Sequence, residues 1–368
     1  MTTAAQEDTS PAPETPTEAE QVGRREIRVS KSLLAVSPTI GKALTYEMTT
    51  HDDGVAATGG VFGMFLGAMG KGKSTLMVQY AQLANHVPGL AAKWDVANLK
   101  NQHVPETVIW RGLEYDHWNC LIPEYWIRSF PGTDPKPIRL HMHYQDRLDF
   151  YVQAGKKKYR LMLPGEDTQF YNSPEQLYEN ILQGGINVVY EPQEYYLSEK
   201  TLARLLASQL SKKSDYSKME DVRAPSAMWW YEFIETLARV KARHEFYTLQ
   251  LDEADDIFPF GAQGAHWHLI GWLTRTIVHL RKNNISLLPA TQDINLMDHR
   301  IYDRVNYFVW LPGSRPKARI SMIHQNLIRT LPRGWGIAEE ANSRFGRIKF
   351  QRIPRQPPVV QAVGLSGI

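Results

Sequence analysis

The stretch VFGMFLGAMGKGKSTLMVQYAQLANH at residues 61–86 decides the fold. It opens with VFGMFL, an unbroken apolar run of the kind found in strands buried on both faces of a parallel sheet. A glycine-rich turn follows, and residues 74–86 then repeat apolar side chains at helical spacing. The order strand, glycine loop, helix predicts a phosphate-binding loop within an α/β domain.

The glycine loop carries the groups that hold the phosphates of a nucleotide. Residues 67–74, GAMGKGKS, match the pattern G-x-x-x-x-G-K-[ST] at every position. Lys73 is expected to reach the β- and γ-phosphates, and the Ser74 hydroxyl is expected to bind Mg²⁺. Thr75 could add a contact to the α-phosphate. The glycines that let backbone N–H groups turn toward the phosphates are Gly67, Gly70 and Gly72. The sequence therefore predicts binding of ATP with Mg²⁺.

A second apolar strand ends in acidic residues, FYTLQLDEAD at 246–255. In enzymes with a phosphate loop, an acid at the end of such a strand holds Mg²⁺. A neighbouring glutamate can take a proton from the attacking water as a general base. We assign Asp252 to the metal and Glu253 to the water. For Asp252 and Glu253 the alternative is an ordinary strand-end turn. Asp255 and Asp256 are explained better as residues of a surface turn or of a helix N-terminus, where acids are favoured.

A third strand, ISLLPATQD at 285–293, also turns from apolar to polar at its end. In an open parallel sheet, ligands bind beyond the carboxyl ends of the strands. Gln292 is therefore expected to contact the γ-phosphate or the water, with a loop amide or a helix cap as the alternative. An arginine acting on the site of a neighbouring subunit is also expected. Arg281 is favoured, and the other candidates, each also explained as a surface or ion-paired arginine, are Arg275, Arg300 and Arg304.

Composition excludes several classes of protein. Cys120 is the only cysteine, which excludes an intramolecular disulfide and thiolate zinc clusters. No apolar run approaches the roughly 18–20 residues that span a bilayer, and the N-terminus does not read as a secretory signal. We therefore expect a cytoplasmic protein with no stable membrane insertion. His141 and His143 lie two apart on a strand but have no third ligand pattern, so we interpret them as structural.

The predicted organisation is one domain with two tails. Residues 1–24 are expected to be a disordered acidic tail, because residues 1–22 hold five acids and no Lys or Arg. The ATPase domain is expected to span 25–355, with an insertion at roughly 93–185, and 356–368 is expected to be a loose tail. The stretch 311–355 holds ten Lys and Arg against two acids. That basic stretch is explained equally well by contact with a phosphate backbone and by a solvated surface.

Strand-like and helical runs alternate through the domain, which predicts a mostly parallel sheet flanked by helices, the α/β class. Other strand-like runs lie at 107–112, 138–144, 186–192 and 306–312, and helical runs lie at 198–213, 225–245 and 266–283. Within the last of these helices, Trp and His residues are mixed with aliphatic ones. The three adjacent aromatic residues at 229–231 are interpreted as core and interface packing rather than as a surface on which nucleic-acid bases stack.

The combination of GAMGKGKST, LQLDEAD and LRKNNISLLPATQD resembles the FtsK/HerA superfamily of P-loop ATPases, in patches over roughly 60–312. Thr291-Gln292 and Arg281-Lys282 match that superfamily's Thr-Gln strand end and preceding Arg-Lys. Within it, the size of this chain looks most like viral packaging ATPases or zonula occludens toxin-like ATPase domains. The resemblance implies a RecA-like fold, a homo-oligomeric ring such as a hexamer, and DNA in a basic pore.

The expected activity is that of an ATP-hydrolysing motor that translocates or packages DNA, encoded by a virus or a mobile element and acting in the host cytoplasm. The alternative is an ATPase that drives protein or virion assembly or secretion, as in zonula occludens toxin-like proteins. A nucleotide switch is disfavoured because it needs no water-activating acid beside Asp252. A small-molecule kinase is disfavoured by the Thr-Gln strand and the basic stretch at 311–355.

Overall fold

The computed structural model describes one central sheet and the helices that cover it. The described residues are 60–83, 85–86, 104–112, 136–144, 148–154, 157–161, 168–210, 223–224, 228–241, 245–321, 323–340, 345–349 and 359–364. The acidic tail expected at 1–24 lies outside these residues, so it stays a prediction. The same holds for the domain boundaries.

The strands and helices are numbered in chain order. The strands are β1 (Gly63–Leu66), β2 (Asn85–His86), β3 (Val104–Pro105), β4 (Thr107–Arg111), β5 (Ile138–His143), β6 (Leu148–Ala154), β7 (Lys157–Leu161), β8 (Thr168–Tyr171), β9 (Ile186–Val189), β10 (Tyr195–Tyr196), β11 (Arg223–Ala224), β12 (Tyr247–Leu251), β13 (Ile285–Thr291), β14 (Tyr307–Trp310), β15 (Trp335–Glu340), β16 (Phe345–Lys349) and β17 (Val359–Gly364). The helices are α1 (Lys73–Leu83), α2 (Pro174–Glu179), α3 (Glu199–Leu210), α4 (Trp229–Val240), α5 (Ala254–Ile257), α6 (Gly264–Lys282), α7 (His299–Tyr302) and α8 (Gln325–Arg329).

Ten strands form the central sheet in the order β16-β15-β14-β1-β13-β12-β4-β9-β5-β8. Every neighbouring pair from β14 to β8 is parallel, whereas β15 and β16 add an antiparallel edge. Parallel strands need crossover connections; α6 provides one between β12 and β13, and α7 lies in the connection between β13 and β14. The strand that precedes the glycine loop, β1, is therefore flanked by β13 and β14 in the middle of the sheet.

Both faces of the sheet are covered, as the side chains of β12 show. Tyr247, Leu249 and Leu251 belong to the main apolar core together with residues of α4 and α6. The alternate residues Thr248 and Gln250 are also fully buried, but they face α1, where the Gln250 side-chain amide donates to the Met77 carbonyl at 3.2 Å. A strand buried on both faces is what an unbroken apolar run predicts.

The observed architecture is the α/β RecA-like fold that the sequence predicts. The described part of 93–185 is more closely integrated than an insertion suggests, because β4, β5 and β8 all belong to the central sheet. The segment 356–368, expected to be loose, contains β17, which pairs antiparallel with β6. Its sequence VVQAVG is rich in β-branched valine, which favours a strand. Of the helices that the structure describes, none is both long and apolar enough to cross a membrane.

Aromatic side chains of α4 form the centre of the core beneath the sheet. Trp229 and Phe233 stack with ring centroids 5.1 Å apart, and Trp230 meets Phe233 edge-on at 5.8 Å. All three are buried, with Phe233 at 0% exposure. The aromatic residues of 229–231 are therefore core residues, as the sequence analysis interprets them.

Replacing Phe233 with alanine is expected to cost about 3–5 kcal/mol of unfolding free energy, because it removes apolar contacts and leaves a cavity. Phe260 is the matched control, since its side chain is 71% exposed. Phe260→Ala should change stability by less than about 0.5 kcal/mol. Denaturant unfolding followed by tryptophan fluorescence measures both variants, and equal losses would contradict the packing described here.

Candidate active site

Three neighbouring parallel strands bring the predicted site residues to one edge of the sheet. Leu66 of β1 pairs with Thr291 of β13, and Leu251 of β12 pairs with Pro289 of β13. The glycine loop, the acidic turn and Gln292 each follow the carboxyl end of one of these strands. Because parallel strands end at the same edge, residues more than a hundred positions apart in the chain meet there.

Asp252 is the point where the loop and the acidic strand touch. Its Oδ1 lies 2.9 Å from the Lys73 ammonium Nζ, with both side chains about one-tenth exposed at 11% and 10%. The Ser74 hydroxyl donates to the other carboxylate oxygen, Oδ2, at 3.3 Å. The predicted phosphate-binding lysine, the predicted magnesium ligand on α1 and the predicted acid are thus one connected cluster.

The donor set at Asp252 fits a magnesium ion. Mg²⁺ prefers hard oxygen ligands and in nucleotide sites is bound by few protein groups, with phosphate oxygens and water completing its shell. The Ser74 hydroxyl and the Asp252 carboxylate are such ligands, and they lie within hydrogen-bond distance of each other. Ser74 lies in the first turn of α1 and Asp252 directly follows the carboxyl end of β12, so both lie at the same edge of the sheet.

Glu253 occupies a left-handed backbone conformation, with φ 47° and ψ 50°. This conformation costs a residue with a β-carbon roughly 1–2 kcal/mol, so the surrounding contacts must hold it. Asp252 Oδ1 accepts the Glu253 backbone N–H at 3.0 Å. Although Glu253 is exposed as a whole, shielding of its carboxyl group from water raises its pKa, and the charge of Asp252 raises the pKa further, whereas Lys73 lowers it. A raised pKa makes a carboxylate a stronger base.

The glycine loop is held from both sides by the neighbouring strands. The Gly67 N–H donates to the Thr291 carbonyl at 3.3 Å, and the Ala68 N–H donates to the Pro312 carbonyl at 3.4 Å. Gly72, with φ 100°, adopts a conformation that favours glycine immediately before α1 begins. Lys73, Ser74 and Thr75 form the first turn of α1, so the positive end of the helix dipole faces the loop.

Gln292 follows Thr291 directly and is partly buried at this edge. Its neighbour Thr291 is fully buried and donates its hydroxyl to Asp255 Oδ1 at 2.7 Å. Asp255, which the sequence suggests is a surface acid, is therefore tied to the end of β13. This bond links the turn that carries Glu253 to the strand that carries Gln292.

Arg111, the last residue of β4, is a site residue that the sequence analysis missed. Its side chain is 3% exposed, and Nη1 donates to the backbone carbonyls of Asp252 at 3.1 Å and of Glu253 at 2.9 Å. The available signal was its position, because an arginine ending an apolar strand, TVIWR at 107–111, is unusual in a buried sheet.

The arginines considered for action on a second subunit lie in different settings. Arg300 is engaged within the chain, with Nη2 at 2.7 Å from Asp298 and the guanidinium 4.8 Å above the Trp267 ring. Arg275 and Arg304 are exposed. Arg281 belongs to the last turn of α6, at the sheet edge opposite Asp252, and its side chain lies outside the described part of the structure. Its assignment stays a prediction.

His141, one of the two histidines of β5, is packed inside the protein, whereas the expectation that neither histidine binds a metal stays a prediction. His141 is fully buried, its Nε2 lies 2.9 Å from Asn187 Oδ1, and burial lowers its pKa to about 4. Among the described residues, no group of three or more His, Cys, Asp or Glu side chains could hold a metal ion by itself.

Comparison with solved structures gives distant likenesses. The chain is similar to the genome packaging NTPase B204 of Sulfolobus turreted icosahedral virus 2, with 12% identity, a TM-score of 0.33 and coverage of 80% of this chain and 98% of that one. It is similar to VirB4 of Thermoanaerobacter pseudethanolicus (14%, TM-score 0.37, 83% and 96% covered). It is also similar to the N-terminal domain of zonular occludens toxin from Neisseria meningitidis (14%, TM-score 0.27, 77% and 86% covered).

No described protein family and no curated relative matches the chain. With identities and TM-scores this low, the fold assignment rests on the strand order and the loop geometry described above.

The contact between Gly313 and the glycine loop gives a testable prediction. Gly313 has φ +89°, and a β-carbon there would lie 2.5 Å from the Ala68 β-carbon. Gly261 is the matched control, because it has φ +74° but nothing within 4 Å of such an atom. Both alanine variants should lose about 1–2 kcal/mol of stability from backbone strain.

Only Gly313→Ala should lose about 1–3 kcal/mol more through overpacking, and only it should weaken ATP binding, because Ala68 belongs to the glycine loop. Denaturant unfolding and ATP titration by calorimetry measure the two effects. Identical ATP affinities in the two variants would show that Gly313 does not support the loop.

Proposed function

We propose that this protein is an ATPase that uses hydrolysis to translocate or package DNA, as a viral or mobile-element protein would. The observation that carries the proposal is the convergence of Lys73 and Ser74 on Asp252, with Glu253 as the next residue. A phosphate-binding lysine, two magnesium ligands and a general base at one sheet edge are the groups that ATP hydrolysis requires.

In the proposed reaction, the loop amides and Lys73 hold the phosphates of ATP. Asp252 and Ser74 would hold Mg²⁺, which neutralises charge on the phosphates when bound. Glu253 orients the attacking water and accepts its proton as the water oxygen bonds to the γ-phosphorus. The bond to the β–γ bridging oxygen breaks, which gives ADP and phosphate. Gln292 contacts the γ-phosphate or the water, and it transmits the loss of the γ-phosphate to the rest of the chain.

The proposed working unit is a ring of copies of the domain spanning 25–355, with each ATP at a subunit interface, and a hexamer is the ring that the resemblance implies. Arg281 of one copy would reach the γ-phosphate bound to its neighbour. The position of Arg281 at the far sheet edge supports action on a second copy rather than on its own site.

Exposed basic residues beyond β14 support DNA as the substrate. Among described residues of the basic stretch, the exposed charged side chains are Arg315, Arg319, Arg329, Arg333, Arg347 and Lys349. Glu339, by contrast, is 1% exposed and accepts hydrogen bonds from Trp310 and Ser321. Pairing of Trp335 with Lys349 brings Lys349 to the edge where β14 ends, which is also the edge of the glycine loop. Although Arg319 is paired with Asp303, exposed cations such as the others can bind phosphate backbones.

Two substitutions test the proposed ATPase chemistry. Glu253→Gln should bind ATP normally but lose about 10²- to 10⁴-fold in turnover, the usual contribution of a general base. Lys73→Ala should lose turnover and also bind ATP more weakly, because it removes a charge that contacts the phosphates. Phosphate release measures turnover, and calorimetry measures binding.

The matched controls are Glu179→Gln, at an exposed residue that ends α2 ahead of β9, and Lys200→Ala, at an exposed residue in the first turn of α3. Both should hydrolyse ATP at the normal rate. Normal turnover by Glu253→Gln would refute its assignment as the base.

Coupling to DNA is tested by adding double- and single-stranded DNA to the same assay. DNA should stimulate turnover, and the stimulation should fall steeply as salt rises, because binding releases counterions. The double variant Arg329→Ala/Arg333→Ala should be stimulated less than the wild type. Arg239→Ala, an exposed arginine paired with Glu175, should be stimulated normally. Turnover indifferent to DNA would instead favour the motor of protein or virion assembly.

A further inference from the structure

The Arg111 side chain is buried between three strand ends. Arg111 ends β4, which lies between β12 and β9 in the sheet. On one side its guanidinium donates to the backbone of the acidic turn, at the carbonyls of Asp252 and Glu253. On the other side it meets Glu191, which follows β9.

The pairing with Glu191 fixes the orientation of the guanidinium. Arg111 Nε donates to Glu191 Oε2 and Nη2 donates to Oε1, both at 2.8 Å, in a two-point arrangement that holds the plane of the group. The Trp230 indole N–H, from the core helix α4, also donates to Glu191 Oε2 at 2.6 Å. Glu191 is thus held by the core, and it in turn holds Arg111.

The donors of Arg111 are committed to this arrangement. Beyond Glu191 and the two carbonyls, the remaining contacts are with Asp256 Oδ2, at 3.4 Å from Nη1 and 3.5 Å from Nη2. A guanidinium used in this way acts on the turn rather than on a phosphate. Lysine could not replace it, because an ammonium lacks the planar fork that serves several acceptors at once.

The strained residue is the one that the guanidinium holds. Glu253 adopts the left-handed conformation, and its own carbonyl is the nearer of the two that Arg111 binds, at 2.9 Å. A hydrogen bond from a charged donor is stronger than one between neutral groups, so it can offset the cost of that conformation. Without Arg111, the turn would relax and the carboxylate of Glu253 would move.

We propose that Arg111 is a positioning residue for hydrolysis: held by Glu191, it fixes the turn at Glu253 so that this carboxylate faces the attacking water. This inference rests on the proposed ATPase function. It assigns Arg111 no contact with ATP, so its loss should slow turnover without weakening ATP binding.

The test compares Arg111→Lys with Arg139→Lys in the full chain. Arg139 is a matched control, since it lies on β5 and donates to a backbone carbonyl, that of Asn180, at 2.8 Å. Arg111→Lys should lower kcat by about 10- to 100-fold, the effect of a displacement of about 1 Å in a reacting group. Its ATP dissociation constant should stay within about twofold of the wild type, because Arg111 makes no contact with ATP and so does not contribute to its binding. Arg139→Lys should keep both values.

A second arm asks whether Arg111 acts through Glu253. In a chain that already carries Glu253→Gln, adding Arg111→Lys should cause no further loss, because coupled residues are not additive. Glu191→Gln, which keeps Arg111 but weakens its holder, provides a second variant if Arg111→Lys folds poorly. It should also lower kcat without changing ATP affinity.

The outcomes separate the two proposals. Full turnover by Arg111→Lys, a parallel loss of ATP affinity, or an additive loss on top of Glu253→Gln would each overturn the positioning role while leaving the ATPase intact. Absence of hydrolysis by the wild type, or normal turnover by Glu253→Gln, would overturn the proposed function itself and this inference with it.

Discussion

Parallel pairing of β1, β13 and β12 is the constraint on which the candidate site depends. Each strand supplies one chemical element at its carboxyl end, and none of these elements is complete alone. The pairings of Leu66 with Thr291 and of Leu251 with Pro289 set how far each end projects. A slip of one residue would turn the side chains to the opposite face of the sheet, because their direction alternates along a strand. The site is therefore a property of the register.

The acidic turn after β12 concentrates like charges and needs compensation. Four of the five residues from 252 to 256 are acidic. Lys73 pairs with Asp252, the Thr291 hydroxyl binds Asp255, and Arg111 lies beside Asp256. Burial nevertheless raises the pKa of Asp256, as it does that of Glu253, even though Arg111 opposes the rise. Groups from α1, β4 and β13 thus offset the repulsion among the acidic side chains of this turn.

The sequence predicts the elements of this site whose chemistry is written in a short stretch of chain. At the glycine loop after β1, at Asp252-Glu253 after β12 and at the end of β13, an apolar run is followed by polar residues or glycines. Their meeting at one edge follows from parallel pairing, so Lys73, Ser74 and Asp252 could be grouped before any geometry was known. The mostly parallel sheet was predictable from the alternation of strand-like and helical runs along the chain.

Contacts between distant segments were not predictable in this way. Arg111 and Glu191 are eighty residues apart, and Arg111 and Glu253 are separated by 142. Nothing in TVIWR indicates which acceptors the arginine will meet, since these depend on the order of β9, β4 and β12. The place of β8 at the sheet edge was hidden for a related reason, because TQFY is short and mixed in character.

The close approach of Gly313 to Ala68 brings two distant segments of the chain into contact, the residues after β14 and the glycine loop. The Leu311 N–H donates to the Leu66 carbonyl at 2.7 Å, so the chain leaving β14 runs against the start of the glycine loop. Two residues after Gly313 the basic stretch begins to expose its arginines, with Arg315. Any shift of the loop has to be accommodated by Leu311–Gly313. The glycine loop and the residues that lead into the basic stretch are therefore in direct backbone contact, so the position of one constrains the position of the other.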